Sequence, residues 1–173
     1  MKYYAAHVKT GSEEKIKKLF FALYPNAKIK IFFPKRQINE RHNGTIVLKE
    51  LSIFSGYIFI ETALDENIFL YQKDFRKIDG FYKFLKSNTD IQELAGRDLE
   101  IVLYFIKQNS SLAKISKVTF DNNDKIVVVS GALSGLEGNI IKINKRKGRA
   151  KIKLKLYEES FTIDLGFEIL EHL

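Results

Sequence analysis

The sequence predicts an α+β chain: an α/β domain, a short linker and a small β-barrel. Three observations predict it. Strand-like and helix-like runs alternate through the first 108 residues. Composition then shifts at Gln108-Asn109-Ser110-Ser111, a small polar run that reads as the start of a linker. Beyond it, about 55 residues of short strands and glycine turns suggest a barrel. The expected division is therefore 1–108, a linker at 109–116, and 117–173.

In order, Lys2 to Val8 (KYYAAHV) reads as a strand. Thr10-Gly11-Ser12-Glu13-Glu14 opens a helix, with hydroxyl caps followed by acids where they meet the helix dipole. Ile16, Leu19, Phe20 and Leu23 give that helix one apolar face, and Pro25 ends it, so it spans about 12–24. Lys28 to Asn39 reads as a strand made irregular, or placed at an edge, by Pro34. Asn43-Gly44 is a strong hairpin signal, with Thr45 to Leu51 as the return strand. Phe54-Ser55-Gly56-Tyr57 is a tight turn into a strand ending at Glu61. A short helix capped by Asp65 runs to Lys73, Gly80 to Leu85 is an aromatic strand, and Leu99, Val102, Leu103 and Ile106 mark a helix over 96–108. Phe81, Phe84 and Phe105 read as core.

In the second half, strands are expected at Lys117–Phe120, Lys125–Val129, Asn139–Asn144, Ala150–Leu156 and Ser160–Asp164, with a final turn or strand over Gly166–Leu173. Gly131, Gly135 and Gly138 suit a turn-rich run that precedes the Asn139–Asn144 strand. In the return strand, Ile152, Leu154 and Leu156 face one way and Lys151, Lys153 and Lys155 the other. From Lys142 to Lys155 there are eight basic residues and no acid. Such a ribbon needs a core beneath it and an anion above it.

Composition narrows the classes. The 173 residues carry a net charge of +8, which favours a polyanionic partner. The absence of cysteine excludes disulfides, thiolate zinc sites and cysteine nucleophiles. No apolar run has the length of a membrane span and no signal region opens the chain, so a cytoplasmic protein is expected. His7, His42 and His172 lack metal-ligand spacing, the glycine run lacks the Gly-Lys-Ser/Thr of a phosphate loop, and the acids show no paired-carboxylate arrangement. No enzyme, metal or cofactor is expected.

Several runs carry a family resemblance. Tyr3-Tyr4, Thr10-Gly11-Ser12-Glu13, Phe54-Ser55-Gly56-Tyr57-Ile58-Phe59-Ile60 and Gly80-Phe81 resemble the NGN domain of the NusG family of transcription elongation factors. Gly131, Gly135, Leu136, Glu137, Gly138 and Ile140-Ile141 resemble its KOW domain. Ser55 stands where the family has proline, and Leu156-Tyr157-Glu158-Glu159-Ser160 replaces the loop implicated in contacts with Rho or a ribosomal protein. The GALSGLEGNIIKINKRKGRA run is similar to the LoaP branch, specialised processive antiterminators.

The resemblance implies an NGN-type α/β sandwich with an antiparallel sheet on the clamp helices of RNA polymerase, with Tyr3, Phe54 and Tyr57 at the contact, and a small KOW β-barrel on a nascent RNA hairpin. For the RNA, the residues themselves nominate Arg146 and Arg149 for base or shape readout, because guanidinium groups pair bidentately with guanine. Lys142, Lys145, Lys147, Lys151 and Lys153 are phosphate candidates. A monomer is expected. The other readings are a general elongation factor without RNA specificity and a ribosome-associated RNA-binding protein. A lysine-rich face is also a common guard on an exposed strand.

Overall fold

The computed structural model describes residues 1–108, 110–157 and 159–170. Asn109, Glu158 and His172, which enter the reading above, lie outside the described residues. In chain order the elements are β1 (Lys2–Val8), α1 (Glu13–Leu23), β2 (Ile29–Phe32), β3 (Lys35–His42), β4 (Thr45–Ser52), β5 (Tyr57–Thr62), α2 (Phe69–Phe75), β6 (Phe81–Phe84) and α3 (Gly96–Ile106). They continue with β7 (Leu112–Ala113), β8 (Ser116–Phe120), β9 (Ile126–Ser130), β10 (Ile140–Asn144), β11 (Arg149–Leu156) and β12 (Glu159–Ile169).

Two compact units result: Met1–Phe33 with Phe54–Val102, and Pro34–Ile53 with Leu103–Leu173. They differ from the expected division at 108–117. The β3–β4 hairpin belongs with the second unit, and the expected linker contains β7, which pairs in parallel with β3.

The first unit is built on an antiparallel sheet of order β2-β5-β1-β6. One core gathers Ala6 and Val8 of β1, Ile58 and Ile60 of β5, Ile16 and Phe20 of α1 and Phe75 of α2. Phe20 stacks on Phe75 with centroids 4.3 Å apart, so α1 and α2 meet through aromatic rings. β5 is buried along its whole length, as expected of a central strand covered on both faces. Phe81 and Phe84 are buried as expected.

Four local expectations change. On α1 the buried residues are Glu13, Ile16 and Phe20, whereas Leu19 and Leu23 are 40% and 59% exposed, so the apolar stripe is narrower than its pattern. Ser12 sits at the N-cap without a side-chain capping bond. The α2 helix starts at Phe69, and the Oδ1 of Asn67 accepts from the Phe69 N–H at 3.0 Å; Asp65 is too early in the chain to cap it. The strand spanning Pro34 is two strands, β2 and β3, because proline cannot donate to a ladder.

The second unit holds two sheets. The larger has order β10-β11-β12-β8-β9 and curls as a half-barrel; its β12–β8 pairing is parallel and its other pairings are antiparallel. Ile152, Leu154 and Leu156 are buried as the alternation predicts. The expected strand from Ser160 runs on through Gly166 to Ile169. The smaller sheet has order β4-β3-β7. Its hairpin closes at Asn43-Gly44 with φ of 48° and 82°, the two positive values a two-residue type I′ turn demands. β12 passes close to β3: a Cβ on Gly166 would stand 2.8 Å from the Gln37 carbonyl oxygen. A strand-interior glycine here allows one backbone to approach another.

Candidate nucleic-acid interface

The basic turn is set by hydrogen bonds from its main-chain N–H groups and to its carbonyls rather than by its cations. The Lys147 N–H donates to Asn144 Oδ1 at 3.0 Å, and the Gly148 N–H donates to the Lys145 carbonyl at 3.1 Å. The Phe167 N–H donates to the Gly148 carbonyl at 2.8 Å, tying the turn to β12. Gly148 has φ +58°, and a Cβ there would lie 2.5 Å from the Phe167 carbonyl oxygen. Only glycine lets the turn sit this close.

The seven nominated cations fall into two groups. Lys142, Arg146, Lys147 and Lys153 are exposed, and among the described residues no carboxylate lies within ion-pair distance of them. The other three have partners. Lys145 pairs with Asp124, and its Nζ lies 3.9 Å from the centre of the Phe120 ring. Lys151 pairs with Asp164 at 2.9 Å. Arg149 is half-buried and donates from Nη2 to the Asn39 carbonyl at 3.1 Å, so it ties the barrel to the hairpin. Arg149 is thus first a structural residue, which its place in a run of cations did not reveal. Lys155 is exposed.

The hairpin brings residues that sequence reasoning left out of the site. A cavity of about 590 Å³ is lined by Asn39, Glu40, Arg41 and Ile46 from the hairpin, with Arg146 and Arg149 from the barrel turn. The Glu40 carboxyl accepts from Lys49 at 3.1 Å, and that bond with the lysine's charge holds it below the usual carboxylate range. Arg36, facing Asp164 nearby, donates to the Ser52 carbonyl, and burial lowers its guanidinium.

The polymerase candidates lie in the first unit, and two of them are core. Phe54 is 1% exposed and meets Phe59 edge-on at 5.5 Å; Tyr57 is 7% exposed and stacks on His7 at 5.2 Å. Neither ring stands out as an anchor. The turn holding them is pinned: Gly56 has φ +82°, its N–H donates to the buried Glu13 at 2.8 Å, and its carbonyl accepts from Val8 at 2.8 Å. Tyr3 is half-buried, its hydroxyl donating at 2.7 Å to Glu61, which also accepts from Lys30 at 2.8 Å. Burial alone would raise the Glu61 carboxyl, but the bonds from Lys30 and Tyr3 hold it below its usual value. Burial, the Glu61 bond and the Glu61 charge push the Tyr3 hydroxyl up to about 12. An exposed ring beside them is Tyr82, edge-on to His7 at 5.3 Å, a residue no motif singled out.

Among the described residues no three His, Asp or Glu side chains gather as a metal site, and no helix is long and apolar enough to cross a membrane.

An α+β chain with a helix-covered antiparallel sheet and a basic half-barrel is the class that these units define. The family model described as "Transcription termination factor nusG" matches residues 1–103. The chain belongs to the NusG family. It is 22% identical over 170 residues to the transcription termination/antitermination protein NusG of Rickettsia felis, covering 95% of this chain and 86% of that one. The Bacillus subtilis protein of the same name is 19% identical over 176 residues, with 99% and 98% covered. A solved structure of Thermotoga maritima NusG matches with a TM-score of 0.51 and 15% identity, covering 95% and 93% of the two chains, which supports the fold.

Proposed function

We propose that this chain is a transcription antitermination factor of the LoaP kind, holding RNA polymerase through its first unit and a nascent leader RNA hairpin through its basic half-barrel. The observation that carries the reading is the group Lys142, Arg146, Lys147 and Lys153: four exposed cations, two on the turn held by its main-chain hydrogen bonds and one on each of the strands β10 and β11 that it joins. A fixed turn spares the cost of ordering its backbone on binding, and neutralised phosphates release counterions. Arg146 is the base-reading candidate; Arg149 positions the turn and Lys145 and Lys151 strengthen the local positive field, partly offset by Asp124 and Asp164.

On the polymerase side, Phe54 and Tyr57 shape the surface from beneath, Tyr3 braces β1 through Glu61, and the exposed Tyr82 beside His7 supplies an aromatic contact for the clamp helices. Each contact alone is modest, and joining them in one chain raises the effective concentration of the second. Curated relatives carry termination as well as antitermination in their name, so the direction of the effect is part of the test.

The experiment is binding of the full chain to labelled leader stem–loops and to a scrambled control at two salt concentrations, with polymerase capture in parallel. Selective stem–loop binding that weakens steeply with salt and with Arg146→Ala supports the reading. Polymerase capture with binding that ignores RNA structure replaces it with a general elongation factor; ribosome association without polymerase capture replaces it with a ribosomal RNA-binding protein.

A further inference from the structure

The hairpin is the part of the second unit that the proposed function does not use. It carries Arg41 and Glu40 into the same cavity as Arg146 and Arg149, and Arg149 fastens to its backbone at Asn39. The cavity, about 590 Å³, lies in the size range of sites that take a small organic group. Three of its lining side chains are guanidinium groups and one is a carboxylate. A carboxylate repels phosphate, and Glu40 is engaged by Lys49 through Oε2 only, so among the described residues its Oε1 has no hydrogen-bond donor. Its bond to Lys49 keeps it charged and oriented. What satisfies both signs at once is a ligand with a phosphate and a hydrogen-bond donor a few ångströms away.

We propose that this groove holds one unpaired nucleotide of RNA, with Arg41 on its phosphate and Glu40 accepting from the exocyclic amino group of its base, beside the base-reading Arg146. The inference rests on the RNA-binding reading above and gives that site a second wall. Unpaired loop nucleotides splay out and offer their base edges, and carboxylates accept from the cytosine amino group. Duplex DNA is disfavoured: laid into a groove as a ribbon, the hairpin would bring Glu40 and Glu50 and the exposed Ile46, Val47 and Leu48 against phosphates.

The test uses the full chain and three fluorescein-labelled probes: an RNA stem–loop with unpaired cytidines, the same stem with uridines, and a duplex DNA of equal charge. Uridine replaces the amino donor with a carbonyl, which Glu40 repels. The wild type is expected to prefer the cytidine loop about tenfold, and Glu40→Gln to erase the preference. Arg41→Ala is expected to weaken cytidine-loop binding about threefold to tenfold and lower the salt slope by about 0.7, with Arg41→Lys restoring the slope. Circular dichroism confirms that each variant is folded. The inference is overturned if Arg41→Ala binds as wild type while Arg146→Ala binds weakly, if the two loops bind alike, or if duplex DNA binds more tightly than either. Unchanged binding in Arg146→Ala and Arg41→Ala together overturns the RNA reading itself.

Discussion

Replacing Gly148 with alanine tests whether the basic turn is held by its backbone. Two costs add. A residue with a Cβ at φ +58° loses roughly 1–2 kcal/mol in the left-handed region. The new methyl would stand 2.5 Å from the Phe167 carbonyl oxygen, so turn and strand must part, weakening the Phe167-to-Gly148 hydrogen bond worth about 1 kcal/mol. The expected loss is about 2–3 kcal/mol, or roughly a 30- to 140-fold rise in local opening. Hydrogen exchange by mass spectrometry reads it directly: peptides covering β10, β11 and β12 should lose protection by that factor, and peptides of the β2-β5-β1-β6 sheet should not. Lys147→Ala is the control, since its contribution to the turn is a main-chain N–H, and it should leave protection unchanged. A loss below about 0.5 kcal/mol in Gly148→Ala would refute the claim that close approach to β12 fixes the turn.

Other predictions follow from burial and charge. Phe54→Ala should destabilise the first unit by about 3–5 kcal/mol in urea unfolding, as for a core phenylalanine, while Tyr82→Ala changes stability little and weakens polymerase capture. Because the Glu61 carboxyl is depressed in the fold, its stabilisation is present above the unfolded value and lost as pH falls through the folded one; Glu61→Gln should flatten that acid limb of the stability profile. Tyr3 has the opposite sign: its stabilisation is present below pH 10 and lost as pH rises towards about 12, so Tyr3→Phe should remove that alkaline loss and one late-titrating tyrosine from the ultraviolet spectrum.

The local elements were largely legible because their signals are short-range. The Asn43-Gly44 turn, the alternation through β11 and the proline that ends α1 each act within a few residues. The association of the β3–β4 hairpin with the half-barrel was not legible, because it joins residues more than a hundred positions apart, as Arg149 and Asn39 are. One trace was present: Gly166 lies inside a strand, a mark of close backbone approach, and it meets Gln37. The charge of the candidate surface was legible, and the packing of its individual side chains was not. A run of cations gives the sign of a surface but not which members are held, and Lys145, Arg149 and Lys151 proved to be held. The Phe54-Tyr57 motif marked the family, yet its rings are buried, since a pinned turn beside a central strand needs its aromatics inside.

The most direct measurement of the central claim is single-round transcription by bacterial RNA polymerase on a template with a structured leader upstream of an intrinsic terminator, with and without the full chain. The account predicts more read-through on addition of the protein, lost when the leader stem is unpaired by mutation and lost with Arg146→Ala. Read-through that is unchanged or reduced by the protein, or that rises equally with the stem disrupted, would contradict it.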